Sequence, residues 1–302
     1  MKSTTIIFPF SYMLLLSACD SKTNSDQEKL PNILLIMADD MGYGDAKCYN
    51  PESKISTPNI DKLATDGMLF TDAHAPGTTS QPSRYGLLTG RYPFRNTRNY
   101  KEGLIEPGRL TIAELLRNSG YNTACIGKWH QGMVGEKNPQ PGIDLIGNPT
   151  QHGFDYFFGL PASLDIPPYY YVENGQCVLP PTDTIGACNT PGISPIQGAF
   201  WRAGGIAPAY KHENVVDELT EKVVEYLGNH FESNSQPLFL YFPLPSPHTP
   251  WLPNDEYKGS TTVGDYGDYT AQVDGVVGNV LSKLKEIGQE ENTIVIFTSD
   301  NG

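Results

Sequence analysis

Asn32-Ile33-Leu34-Leu35-Ile36-Met37 is an almost unbroken apolar run, and it ends in Ala38-Asp39-Asp40-Met41-Gly42-Tyr43-Gly44-Asp45. Such a run suits a strand buried on both faces, as in a parallel sheet covered by helices. Thr293-Ile294-Val295-Ile296-Phe297-Thr298 repeats the pattern and closes in Ser299-Asp300-Asn301-Gly302. Residues 121–127 and 237–242 are two more strand-like runs. Helix signals lie between them. Thr57-Pro58 reads as a cap with Pro at the first helical position, and Gly67 as the stop. Residues 111–118 form a short helix closed by Gly120. Val215, Val216, Leu219, Val223, Val224 and Leu227 recur at helical spacing over 213–230, and another helix is expected over 268–287. The alternation predicts an α/β fold with a mainly parallel central sheet flanked by helices. Residues 131–212 break the rhythm and are rich in Pro, Gly and Tyr. Long irregular stretches are usually functional. This one reads as a pocket wall whose aromatics, including Tyr169, Tyr170 and Tyr171, can stack on a sugar; a purely structural excursion is the alternative.

The acidic strand ends carry the first chemistry. Ligands of open α/β sheets bind beyond the carboxyl ends of strands, and hard cations such as calcium and magnesium take oxygen ligands. Asp39, Asp40, Asp300 and Asn301 therefore make a candidate metal site, with ordinary turn chemistry as the plain alternative for each segment alone. Ser80-Gln81-Pro82-Ser83-Arg84 places a hydroxyl just before an apparent helix start and a guanidinium four residues on. A helix N-terminus favours anions, and the arginine fork matches a tetrahedral oxyanion. Ser80 thus sits where a nucleophile for sulfuryl or phosphoryl transfer is wanted, unless it only caps the helix. In Lys128-Trp129-His130 the charged residues are two apart, so both can face one side of an extended chain. His248 stands in a proline-rich stretch, residues 243–250, expected to be a stiff loop. His74, His152, His212 and His230 belong to no such motif and are expected to be structural or exposed.

These motifs together resemble the sulfatase family. That family carries Cys or Ser, any residue, Pro, Ser, Arg, and then a helix with a Leu-Thr-Gly-Arg run, here residues 88–91. It also has Asp-Asp after the first strand, Gly-Lys-Trp-His, a Pro-His-x-Pro loop and a late Asp-Asn-Gly, all matched here. The resemblance implies an alkaline-phosphatase-like fold and hydrolysis of a sulfate ester on a carbohydrate. It implies that a sulfatase-maturating enzyme oxidises Ser80 to formylglycine, whose hydrate attacks sulfur. Asp39, Asp40, Asp300 and Asn301 would bind calcium together with residue 80. Arg84 would steady the nucleophile. Lys128 and His248 would hold sulfate oxygens, with His248 the acid for the leaving alcohol and His130 the base, two roles that can be exchanged. Within enzymes the alternative is a phosphomonoesterase or phosphodiesterase using unmodified Ser80; outside them, an inactive surface-anchored glycan-binding protein. Sulfatases continue beyond the point matched by Gly302, with another lysine and a smaller subdomain. The expectation is an N-terminal portion with Asp300 and Asn301 on a fraying strand end.

Composition sets limits. The 302 residues can bury a sizeable core. A net charge of −13 argues against nucleic acid as partner. A sulfated polymer is repelled at long range too, so its binding must come from local cations. Residues 1–18 read as a signal peptide, with Lys2 before an apolar run to Leu16. That run is short for a membrane span. Leu16-Ser17-Ala18-Cys19 resembles the bacterial lipoprotein box, which implies a lipid on Cys19, a tether over 19–30, and an exported, membrane-anchored protein in the periplasm or at the cell surface. Residues 31–302 are the catalytic domain. Export permits disulfides, and Cys177 with Cys188 is the expected pair, Cys125 being a buried thiol.

Overall fold

The computed structural model describes residues 29–194 and 196–302; the signal peptide, Cys19 and most of the tether lie outside the described residues. The chain runs β1 (Asn32–Asp39), α1 (Pro58–Asp66), α2 (Ser80–Thr89), α3 (Ile112–Asn118), β2 (Asn122–Lys128), β3 (Tyr156–Leu160), β4 (Val172–Glu173), β5 (Gln176–Cys177), β6 (Asp183–Ile185), β7 (Gly204–Ile206), α4 (Val215–Ser233), β8 (Leu238–Pro247), α5 (Asp265–Glu286) and β9 (Thr293–Ser299). Seven strands form one sheet in the order β5-β4-β3-β2-β8-β1-β9, and β6 pairs with β7 in a separate ribbon. β3, β2, β8, β1 and β9 are all parallel; β4 and β5 are added antiparallel. No helix among the described residues is long and apolar enough to cross a membrane.

Strand side chains alternate between faces. Leu34, Ile36, Leu240 and Phe242 join Leu219, Val223, Val273 and Val277 of α4 and α5 in one buried cluster. Leu35, Met37, Phe239 and Tyr241 join Tyr85 and Leu88 of α2 and Ala113 of α3 in the other. The near-continuous apolar sequence of β1 follows from this, since neither face of the strand meets water. Thr111 caps α3 by accepting the Glu114 N–H at 3.0 Å.

Four expectations are corrected. The strand at 238 does not give way to a loop at Pro243 but continues to Pro247. β2 pairs only with Leu238–Tyr241, so the prolines stand where no N–H is needed toward β2. The stretch 131–212 is not uniformly irregular, for it holds β3, a parallel strand of the main sheet. β3 is only five residues long, and its Gly159 lies against the Gly127 backbone, where a Cβ would be 1.8 Å from the Gly127 carbonyl. Tyr169 and Tyr170 are no sugar platform: both are buried, their hydroxyls donating to the Arg202 and Glu136 carbonyls at 2.8 and 2.9 Å. Cys177 and Cys188 are separate free thiols. Cys177 ends β5 and packs on the sheet core, whereas Cys188 pairs through its backbone with Trp201. Cys125 is fully buried, and burial pushes its thiol well up.

His74 is exposed and His152, His212 and His230 are buried, in line with structural roles. Burial pushes His152 and His212 down to about 4. An unfolded histidine protonates near pH ~6.5. Between these values the unfolded chain binds protons that the folded one does not, so stability falls as pH drops from 6.5 toward 4. The midpoint of thermal unfolding should fall across this window. His212→Phe, which keeps a ring stacked 4.8 Å from Trp201, should flatten the dependence; an equally steep curve in the variant would contradict it.

Candidate active site

The carboxyl ends of β1 and β9 set Asp39 and Asp300 side by side, both fully buried. Arg84, also fully buried, reaches up from α2 between them. Its Nη2 donates to Asp39 Oδ1 and Asp300 Oδ2, both at 2.9 Å, and its Nε to Asp300 Oδ2 at 3.1 Å. Lys128 closes the group from the end of β2, with Nζ 2.5 Å from Asp39 Oδ2. Burial works to raise the Asp39 carboxyl, but Lys128, Arg84 and His248 outweigh it and hold it far below the usual carboxylate range. Arg84 stays protonated against its own burial because Asp39 and Asp300 face it.

Ser80 is the first residue of α2, not the residue before it, and it does not cap the helix. Its Oγ donates to Asp39 Oδ1 at 3.0 Å and lies 3.5 Å from Lys128 Nζ. His130 meets the next residue of the same helix, Nε2 lying 3.1 Å from Gln81 Nε2. Lys128 and His130 thus converge as expected, and they do so at Ser80-Gln81. The pleat is not the cause: His130 lies beyond β2 with φ of +52°, its N–H tied to the Pro161 carbonyl at 3.1 Å. Burial first, then the Lys128 charge, pushes its imidazole well below the usual histidine range, so it is neutral at physiological pH. His248 follows β8. Its Nδ1 faces the Thr249 carbonyl at 2.6 Å, so Nδ1 carries a proton, and Nε2 is turned toward Asp40 Oδ2 at 3.6 Å.

Asp39, Asp40 and Asp300 offer oxygens that all lie within 4.8 Å of one another. Burial and the neighbouring Asp39 and Asp300 charges push the Asp40 carboxyl up. Three carboxylates face two cations here, and a divalent ion would relieve the remaining repulsion. All donors are hard oxygens, so the residues fit calcium or magnesium. Asn301 stands at the rim with a buried, unpartnered Nδ2. Asp300 is not on a fraying end: its N–H donates to the Ala38 carbonyl at 3.1 Å and Arg84 holds its side chain.

Several residues that matter here had no assigned role in the sequence. Asp40 takes a left-handed φ of +62°. Three consecutive N–H groups of its turn are accepted by side chains: Asp40 by Asp300 Oδ1 at 3.0 Å, Met41 by Ser299 Oγ at 3.0 Å, Gly42 by Asp45 Oδ2 at 2.8 Å. The Tyr266 hydroxyl, from α5, donates to Asp45 and lies 3.4 Å from the Asp40 carbonyl. Asp45 belongs to the first acidic motif and was within reach of sequence reading; Tyr266, 221 residues away, carried no signal. Gln81 and Tyr100, whose ring meets His130 edge-on at 5.8 Å, were likewise silent.

The model of the family described as Sulfatase matches residues 31–302. The chain belongs to the sulfatase family. It is 36% identical to an N-acetylgalactosamine-6-O-sulfatase of Bacteroides thetaiotaomicron, over all of this chain and 65% of that protein. It is 34% identical to arylsulfatase A of Homo sapiens, over 90% of this chain and 52% of that protein. A solved sulfatase structure, from work on glycosaminoglycan metabolism by Bacteroides thetaiotaomicron, superposes with a TM-score of 0.78 at 35% identity, over 91% of this chain and 63% of the other. The Ps i-CgsB structure in complex with k-i-k-neocarrahexaose gives 0.68 at 27% identity, over 91% and 59%. The chain spans about half to two thirds of the length of these sulfatases.

Arg84→Met leaves Asp39 and Asp300 buried without the guanidinium they share. Removing one partner of a buried ion pair costs about 3–5 kcal/mol. Denaturant unfolding should show a loss of that order, and a variant within about 1 kcal/mol of wild type would show that the network contributes little.

Proposed function

We propose that the protein hydrolyses sulfate esters on carbohydrates. The observation that carries this reading is the Ser80 hydroxyl, held at 3.0 Å by Asp39 and 3.5 Å by Lys128 at the edge of the carboxylate cluster. Relatives named as N-acetylgalactosamine-6-sulfatases support the substrate class. When present, calcium at Asp39, Asp40, Asp300 and Asn301 supplies a concentrated positive charge, and formylglycine at position 80 supplies an aldehyde hydrate as nucleophile.

The chain's own groups do the remainder. Arg84 holds Asp39 and Asp300 in one orientation, so the two carboxylates converge. The Lys128 ammonium is a point charge beside position 80, suited to a sulfate oxygen. His248 has its Nδ1 proton committed to the Thr249 carbonyl, so Nε2 is the atom that gives a proton to a leaving oxygen. His130, neutral and buried, is in the form that accepts a proton. The two histidines thus stand in different surroundings, His130 buried and His248 partly open beside Asp40. Export and lipid attachment at Cys19 complete the reading and rest on the Leu16-Ser17-Ala18-Cys19 box.

One preparation from the native host tests these parts together. The peptide bearing residue 80 should be lighter than encoded by two hydrogens, the protein should hold calcium rather than zinc, and its first residue should be an acylated Cys19. An unmodified Ser80 in active protein would favour a phosphoester hydrolase on the same scaffold. An N-terminus other than Cys19 would remove the anchor.

The Asp40 turn gives a separate test. Tyr266→Phe keeps the ring but removes the hydroxyl that braces Asp45 and the Asp40 carbonyl. Loss of such an outer partner typically weakens metal binding about 10- to 100-fold. Calcium titration by calorimetry should show this loss with overall unfolding little changed; wild-type affinity would show that the turn holds itself.

A further inference from the structure

The chain carries a net charge of −13, yet residues 91–109 hold Arg91, Arg95, Arg98, Lys101 and Arg109 against only Glu102 and Glu106. Glu106 is shared by Arg91 and Arg109. Arg98 donates to the Gly103 and Glu102 carbonyls, so it is anchored but keeps its charge. Arg95 and Lys101 are exposed and meet no carboxylate among the described residues. Three cations of this segment are therefore not neutralised by an ion pair, in a protein that is acidic elsewhere.

The segment borders the catalytic group. Tyr100, directly before Lys101, sets its ring edge against His130 at 5.8 Å. The Leu104 N–H donates to the Gln131 carbonyl at 2.7 Å. Pro93 lies so close to Gly77 that a Cβ there would be 2.8 Å from the proline ring, and Pro82 of α2 touches the same spot. The strip is thus fastened at one end beside Ser80 and at the other beside His130. Tyr92 and Phe94 stand on it 60% and 79% exposed, stacked on each other at 5.4 Å. Two large rings kept in water beside unpaired cations are not core residues. Aromatic faces and arginines side by side suit a polymer that alternates apolar sugar faces with anionic groups.

We infer that the strip from Tyr92 to Lys101 is a second contact surface for the substrate, taking sulfate- or carboxylate-bearing sugar units next to the unit in the catalytic group. This rests on the sulfate-ester reading above and narrows it to polyanionic glycans. The local cations answer the long-range repulsion that the overall charge imposes on such a polymer. Arg95 and Lys101 supply attraction, Arg98 supplies it from a fixed position, and the Tyr92–Phe94 pair supplies a face for the ring.

The test uses the full chain with residue 80 converted, and an Arg95→Ala/Lys101→Ala double variant. The first probe is a fluorescein-labelled chondroitin sulfate hexasaccharide followed by anisotropy; the second is turnover of 4-nitrophenyl sulfate, too small to reach the strip. The variant should bind the hexasaccharide about tenfold more weakly at low salt, with a shallower salt dependence. Its kcat and KM for the small sulfate should be unchanged. Unaltered hexasaccharide binding would overturn the inference. So would an equal loss on the small substrate, which would mean that the substitutions act on His130 through Tyr100. Weakened binding to phosphatidylglycerol vesicles, with hexasaccharide binding intact, would assign the strip to a membrane surface and overturn it as well. Failure of the wild-type protein to turn over the small sulfate would count against the sulfate-ester reading, while anisotropy would still decide whether the strip binds the glycan.

Discussion

The buried charge group at the ends of β1 and β9 is the constraint on which everything else depends. Asp39, Asp300, Arg84 and Lys128 are all fully removed from water. None could be there alone, because an isolated ion in a protein interior loses several kcal/mol of hydration. Each is tolerable because the others surround it, and that condition fixes four elements relative to one another: β1, β2, β9 and the start of α2. Ser80 and Gln81 are carried into place on the same helix, so the placement of the proposed nucleophile follows from the neutralisation of a charge.

Parallel strands make this possible. In the order β2-β8-β1-β9 every strand ends on the same side. Lys128 comes from β2, His248 from just past β8, Asp39 and Asp40 from β1, and Asp300 from β9. Neighbouring strands are about 4.8 Å apart, which is the spacing at which small polar side chains from adjacent strand ends meet. β3 adds an indirect element. The chain leaving it anchors His130 through the Pro161 carbonyl.

The two histidines stand in different surroundings within one site. His130 is buried beside a lysine, and both effects favour the neutral ring. His248 remains partly open to solvent and faces Asp40, with its other nitrogen committed to a carbonyl. That difference in surroundings is the basis of the separate roles proposed for them. A similar contrast holds at larger scale, where an acidic chain concentrates, on the strip beside His130, cations that meet no carboxylate among the described residues.

The amino-acid sequence by itself determined the fold class and the strands that carry Asp39, Lys128 and Asp300, and it singled out Ser80 and Arg84, which the fold brings together with them. These were legible because strands buried on both faces must be apolar throughout, and because acidic or hydroxyl groups at their ends stand out against that run. Only the tertiary structure decided the rest. β3 was hidden because five residues between the Gly153 turn and Pro161 give no period. The prolines after Tyr241 looked like a loop because the sequence does not show where β2 parts from β8. Tyr169 and Tyr170 looked like a sugar platform because an aromatic run has the same composition in a core as on a surface. The brace of the Asp40 turn by Tyr266 was invisible for a simpler reason. It joins residues 226 positions apart, and a contact across that separation is set by how α5 packs on the sheet, which no local pattern records.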